Sequence, residues 1–143
     1  MIRIFISNIG FPLVLLVSSS MKQILLIEDD PFLIDIYTTK LKEEGFSIEV
    51  ATGGEEGLRK LREKKFDLLV LDIVLPKIDG WEILEKIKNP LNRYGGGLKI
   101  IILSNLGQKE EVEKGLRLGA EKYLIKAHYT PTEVVEEIKQ VLK

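Results

Sequence analysis

Five short apolar runs, at 24–27, 46–51, 68–71, 100–103 and 123–125, are each followed by a stretch whose apolar residues recur at helical spacing. That alternation leaves few architectures open. A chain that returns to its own sheet after a helix does so by a right-handed crossover, so the pattern predicts a parallel sheet with helices on both faces. The run 68–71, LLVL, is apolar without alternation and reads as a strand buried on both sides. The expected fold class is α/β, a doubly wound five-stranded parallel sheet.

Local signals agree with this reading. Asp30 and Pro31 supply an N-cap and a first-turn proline for a helix carrying Leu33, Ile34, Tyr37 and Leu41, which Gly45 closes. Thr52 with Glu55 has capping-box spacing ahead of Leu58 and Leu61, and Asp79 with Glu82 has it ahead of Trp81, Ile83, Leu84 and Ile87. The latter helix must stop before Pro90, and a flexible loop leads to Gly95, Gly96 and Gly97. A helix over 110–118 ends at Gly119, and Thr130, Pro131 and Glu133 open the last one, with Val134, Val135, Ile138, Val141 and Leu142 as its apolar face.

Composition narrows the function. The 143 residues suit one domain, and 45% hydrophobic against 30% charged residues is a soluble globular balance. Lys and Arg total 21 against 22 Asp and Glu, so no basic surplus exists to attract a phosphate backbone, and no nucleic-acid partner is expected. The absence of Cys excludes disulfides and thiolate metal sites, and with His128 as the lone histidine no zinc site is expected.

Residues 1–20 differ from the rest. They hold one charge, Arg3, and an apolar run broken by Ser7, Asn8, Gly10 and Pro12. A spanning helix needs roughly 18 uninterrupted apolar residues, so no membrane span is expected. Arg3, the apolar core 11–17 and Ser18 to Ser20 resemble a weak secretory signal, but MKQILLIEDD opens straight into a strand, which favours Met21 as the start. The expected division is an extension at 1–20, outside the fold, and one domain at 21–143.

The chemistry lies at the strand ends. In an open α/β sheet the carboxyl edge is where loops diverge and ligands bind. The first strand ends in Glu28, Asp29 and Asp30, the third in Asp72, the fourth in Ser104 and the fifth in Lys126. Clustered carboxylates repel one another unless a cation is present, and Mg²⁺ favours one or two carboxylates with phosphate oxygens and water. The cluster therefore asks for Mg²⁺. Lys126 as a point charge and Ser104 as a hydrogen-bond donor suit a phosphoryl group on Asp72.

The motifs ILLIEDD, LVLDIVLPKIDGWEIL, IIILSN and GLRLGAEKYLIKA, with the terminal amphipathic helix, resemble the receiver domain of two-component response regulators. The resemblance covers nearly all of 22–143. It implies a flavodoxin-like sheet of strand order 2-1-3-4-5. It implies that Asp72 accepts a phosphoryl group from the phosphohistidine of a histidine kinase or histidine phosphotransfer protein. Glu28 and Asp29 become the acidic pair, with Asp29, Asp72 and the Val74 main-chain carbonyl on the metal. Ser104 and Tyr123 become a switch pair, and Asp30 a helix cap. It further implies a cytoplasmic signalling protein rather than an enzyme, one that assists its own phosphotransfer and dephosphorylation. Its downstream protein partner would read the fourth helix, fifth strand and fifth helix.

Three departures from the family pattern stand out. Ala127 follows Lys126 where proline is usual, which predicts a trans peptide because a cis bond before a non-proline costs about 2.5–4 kcal/mol. The loop at 92–97 is longer than usual. No output module follows the last helix, so a stand-alone receiver that binds a partner or relays phosphate is expected. Two alternatives carry less support: an inactive receiver used for docking, which the intact acceptor set argues against, and an aspartyl-phosphate phosphatase, which needs a second Asp where Val74 stands.

Overall fold

The computed structural model describes residues 2–7, 14–19, 21–92, 94 and 96–143. Two strands, β1 (Ile2–Ser7) and β2 (Val14–Ser19), pair antiparallel in a sheet of their own. Neither strand joins the main sheet. The interruptions Asn8, Gly10 and Pro12, and Gly95 of the glycine loop, lie outside the described residues.

The main sheet has five parallel strands: β3 (Gln23–Ile27), β4 (Ser47–Ala51), β5 (Leu68–Leu71), β6 (Lys99–Ser104) and β7 (Lys122–Ile125). They lie in the order β4-β3-β5-β6-β7, which is 2-1-3-4-5 counted within this sheet. Five helices alternate with them: α1 (Pro31–Glu43), α2 (Gly54–Glu63), α3 (Gly80–Lys88), α4 (Lys109–Arg117) and α5 (Pro131–Val141). The expected doubly wound fold is the observed one.

Successive strand residues face opposite ways, and the core divides accordingly. Leu25, Ile27, Leu69, Leu71, Ile100 and Ile102 pack with Leu58 and Leu61 of α2 and with Ile83 and Leu84 of α3. Ile24, Leu26, Leu68, Val70, Ile101 and Leu103 pack with Tyr37 and Leu41 of α1 and with Val134, Val135 and Ile138 of α5. All four residues of β5 are buried, as its unbroken apolar run requires.

Most helix starts follow their caps. Asp30 Oδ1 accepts the Phe32 N–H at 2.9 Å, and Asp79 Oδ1 accepts the Glu82 N–H at 2.9 Å. Thr130 and Glu133 exchange both bonds of a capping box. The expected Thr52–Glu55 box does not form: α2 is capped by Gly53 without a side-chain bond. The helix starts one residue later than that spacing requires, so Thr52 lies before the cap; its first turns pack closely, since a Cβ on Gly54 would lie 2.9 Å from Ile78 and one on Gly57 would lie 2.3 Å from Ile27. At α4 the sequence reading missed Glu111, which accepts the Gln108 N–H at 3.0 Å. Among the described residues no helix is long and apolar enough to cross a membrane.

Candidate functional site

The ladder places the acidic groups before any side chain acts. The Glu28 N–H donates to Ala51 O at 3.1 Å and the Asp72 N–H to Ile27 O at 3.0 Å, so both residues are held at the carboxyl edge by main-chain bonds that continue the β3–β4 and β5–β3 ladders. The Glu28 carboxylate is then fixed by its own loop, with Oε2 accepting the N–H groups of Asp29 at 3.0 Å and Asp30 at 3.2 Å. Asp72 Oδ1 accepts the Val74 N–H at 3.2 Å. Asp30 is spent on capping α1, as expected.

Lys126 closes the cluster. Its Nζ lies 2.5 Å from Glu28 Oε1 and 3.0 Å from Asp72 Oδ2, although it comes from the far edge strand. The side chain arrives through a 3₁₀ turn over Lys126–His128, and the Lys126–Ala127 peptide is trans, no cis bond occurring among the described residues. Glu28 is 1% exposed and Asp72 6%, so this is a nearly dry ion triad. Burial pushes the Glu28 carboxyl above its usual value; the Lys126 bond pulls it back, and the Asp72 charge pushes it further up. For Lys126, burial alone would lower the pKa, but the two carboxylates outweigh it and hold the ammonium above its usual value.

Glu28, Asp29 and Asp72 each offer one carboxylate oxygen, and the three oxygens lie within 4.8 Å of one another. Oxygens on opposite sides of Mg²⁺ at its usual 2.0–2.1 Å lie about 4.2 Å apart, so small side-chain turns bring this set onto the ion. The charge agrees: three carboxylates against one lysine leave a surplus that a divalent cation offsets. Exposed Asp29 forms the solvent side and buried Glu28 the floor.

Ser104 ends β6, fully buried. Its Oγ accepts the Leu106 N–H at 3.3 Å, while the Tyr123 hydroxyl donates to Leu106 O at 2.6 Å. The two expected switch residues are thus joined through both faces of the Leu106 main chain. Sequence reasoning missed that link, because it is carried by backbone atoms. The Tyr123 ring lies against α4 at Gly115, where a Cβ would come within 2.7 Å of it. Tyr37, read as core, also proves to be near the site: burial lifts its phenol, and the charges of Lys126, Glu28, Asp30 and Asp72 all act on it.

An acidic cluster and a lysine at the carboxyl edge of a 2-1-3-4-5 sheet define a phosphoryl-handling α/β domain of the receiver type. The chain belongs to the response regulator receiver domain family, whose pattern matches residues 24–139. It is 34% identical over 124 residues to the alkaline phosphatase synthesis transcriptional regulatory protein PhoP of Bacillus subtilis, covering 85% of this chain and 49% of that protein. It is 31% identical over 121 residues to the transcriptional regulatory protein CusR of Escherichia coli, covering 85% of this chain and 51% of that one. This chain therefore spans about half the length of these curated relatives. Among solved structures, a CheY-like receiver domain protein of Methanospirillum hungatei superposes with a TM-score of 0.77 at 33% identity, covering 86% of this chain and 94% of that one. The BeF3-activated DrrB receiver domain gives 0.74 at 28% identity, covering 86% and 98%. Membership of this family sets the phosphatase alternative aside.

Proposed function

We propose that Asp72 is the phospho-acceptor of a two-component phosphorelay. The observation that carries this reading is the Lys126 ammonium held between Glu28 and Asp72 beside the metal-competent oxygens of Glu28, Asp29 and Asp72. An Asp72 carboxylate oxygen attacks the phosphorus of a phosphohistidine in line, the P–N bond breaks, the imidazole takes the electron pair, and an acyl phosphate forms. Asp29, Asp72 and the Val74 carbonyl would hold Mg²⁺, with Glu28 beside them; when bound, the ion neutralises charge on the phosphoryl oxygens. Lys126 shifts from pairing Asp72 to pairing a phosphoryl oxygen, and Ser104 donates to another.

The new dianion draws the Ser104 hydroxyl toward it. Because Ser104 and Tyr123 share the Leu106 main chain, that movement disturbs the Tyr123 ring and the face made by α4, β7 and α5, where a downstream protein would bind. The donor is a histidine kinase or a histidine phosphotransfer protein, and such an exchange takes place in the cytoplasm. Residues 21–143 form the folding unit on this reading, with 1–20 outside it. The five-stranded sheet, which includes neither β1 nor β2, supports that division.

The test is to incubate the chain with Mg²⁺ and a small acyl phosphate and measure intact mass. A base-labile adduct, lost in Asp72→Asn, is expected. No adduct, or one that survives the substitution, sinks the acceptor reading and favours a docking role.

A further inference from the structure

The switch pair is not the sole connection between the acceptor and α4. Helix α3 begins on the acceptor's own peptide: the Gly80 N–H donates to Ile73 O at 2.8 Å, and a Cβ on Gly80 would lie 2.6 Å from both Asp72 O and Ile73 Cα. The next residue, Trp81, packs on the core and carries the Lys114 ammonium of α4 over its ring, 4.4 Å from the centroid. Two turns further along α3 and one turn further along α4, Lys88 Nζ donates to Arg117 O at 3.2 Å. So α4 is tied to α3 at two points, and α3 rests on the residue that would be phosphorylated.

We propose that the Lys114–Trp81 stack is a latch that couples the phosphorylation state of Asp72 to the seating of α4 through the first turn of α3. This rests on Asp72 being the acceptor. Charge building on Asp72 shifts the Asp72–Ile73 peptide, Gly80 has no slack to absorb the shift, and Trp81 transmits it to Lys114. The Lys88 bond holds the last turn of α4 to α3 as well. Lys114 works here as a positioning residue and takes no part in the phosphoryl chemistry.

Trp81 is the one tryptophan of the chain, so its emission reports the latch directly. The full chain is loaded with beryllofluoride and Mg²⁺ while Trp81 emission and amide exchange over 109–117 are followed. Lys114→Met keeps length and helix propensity but removes the cation. Before loading, α4 amides should exchange about two- to tenfold faster in Lys114→Met, the range expected of a half-exposed cation–π contact. On loading, the Trp81 emission change should shrink by half or more, while loading itself stays within twofold of the wild type. In a Trp81→Leu background, Lys114→Met should have no further effect on exchange. Normal loading with wild-type exchange and emission in Lys114→Met overturns the latch alone. Failure of the wild-type chain to load in an Asp72-dependent way overturns the acceptor reading and the coupling together.

Discussion

Lys126 Nζ, which follows β7, stands 3.0 Å from Asp72 Oδ2, which follows β5, so the Asp72 carboxylate is paired with a cation reaching over the end of β6. The same nitrogen holds Glu28, and the pair of carboxylates would otherwise face each other almost without water. Removing one partner of such a buried pair costs about 3–5 kcal/mol, less what the orphaned group recovers by protonation. Lys126→Met should therefore lose about 3 kcal/mol of stability in metal-free buffer, at the low end because Glu28 can take up a proton. Added Mg²⁺ should restore part of it by binding only the folded state. Urea unfolding with and without Mg²⁺ measures both; a variant as stable as the wild type without metal would contradict the triad.

The raised pKa of Glu28 sets a pH dependence of definite sign. With the folded value above the ordinary 4.5, the native state binds more protons than the unfolded chain in the window that opens near 4.5. Stability from this group is present below that window and falls as pH rises through it. Glu49 and Glu133 act oppositely, since their carboxyls are held below the usual value by Lys64 and by the Thr130 cap. The comparison must therefore be with Glu28→Gln, which should flatten the decline between mildly acidic and neutral pH in metal-free urea titrations. Lys126 contributes to the alkaline limb, together with the raised phenols of Tyr37 and Tyr123: its contribution is present below 10.5 and is lost as pH rises through its raised folded value. Identical slopes in wild type and Glu28→Gln would mean that Glu28 does not titrate as its burial demands.

How much of this was legible beforehand depended on which atoms carry each role. The limits of β5 were readable to the residue, because burial on both faces writes itself as four apolar residues without a break. Glu28, Asp72, Ser104 and Lys126 were readable because each falls at a strand end. The strand order came from family resemblance, since nothing in the spacing of the runs says which strands pair. The start of α2 was misread because the cap position falls on Gly53, which has no side chain to mark it, one residue after Thr52, whose spacing to Glu55 mimics a capping box. The Leu106 bridge was beyond reach because each hydroxyl meets a main-chain atom of Leu106, whose side chain takes no part.

The lifetime of the phosphoryl group follows from what flanks it. In receivers the residues two beyond the acceptor and two beyond the switch hydroxyl border the path of the hydrolytic water, and here they are Val74, 58% exposed, and Leu106, half-buried. Neither side chain can orient water. Decay of the adduct after donor removal, followed by intact mass, should be slow, and Val74→Asn should shorten its half-life several-fold. An unchanged half-life would show that water does not approach past residue 74.

Gly80 holds the start of α3 against the peptide that follows Asp72. Alanine is ordinarily the better helix former by about 0.8–1 kcal/mol, which by itself predicts that Gly80→Ala stabilises α3. The new Cβ, however, would meet Asp72 O and Ile73 Cα at 2.6 Å, and these are backbone atoms of a buried strand end that cannot swing aside. Overpacking of this kind costs about 1–3 kcal/mol, which outweighs the propensity gain over most of that range and leaves an expected net loss of up to about 2 kcal/mol. Because the helix must lift from the peptide that follows Asp72, loading by a small acyl phosphate should slow as well. Gly96→Ala serves as the control, since a Cβ there meets nothing within 4 Å. Urea midpoints and loading rates of the two variants decide the matter: if Gly80→Ala matched Gly96→Ala in both, α3 would not be resting on the acceptor peptide.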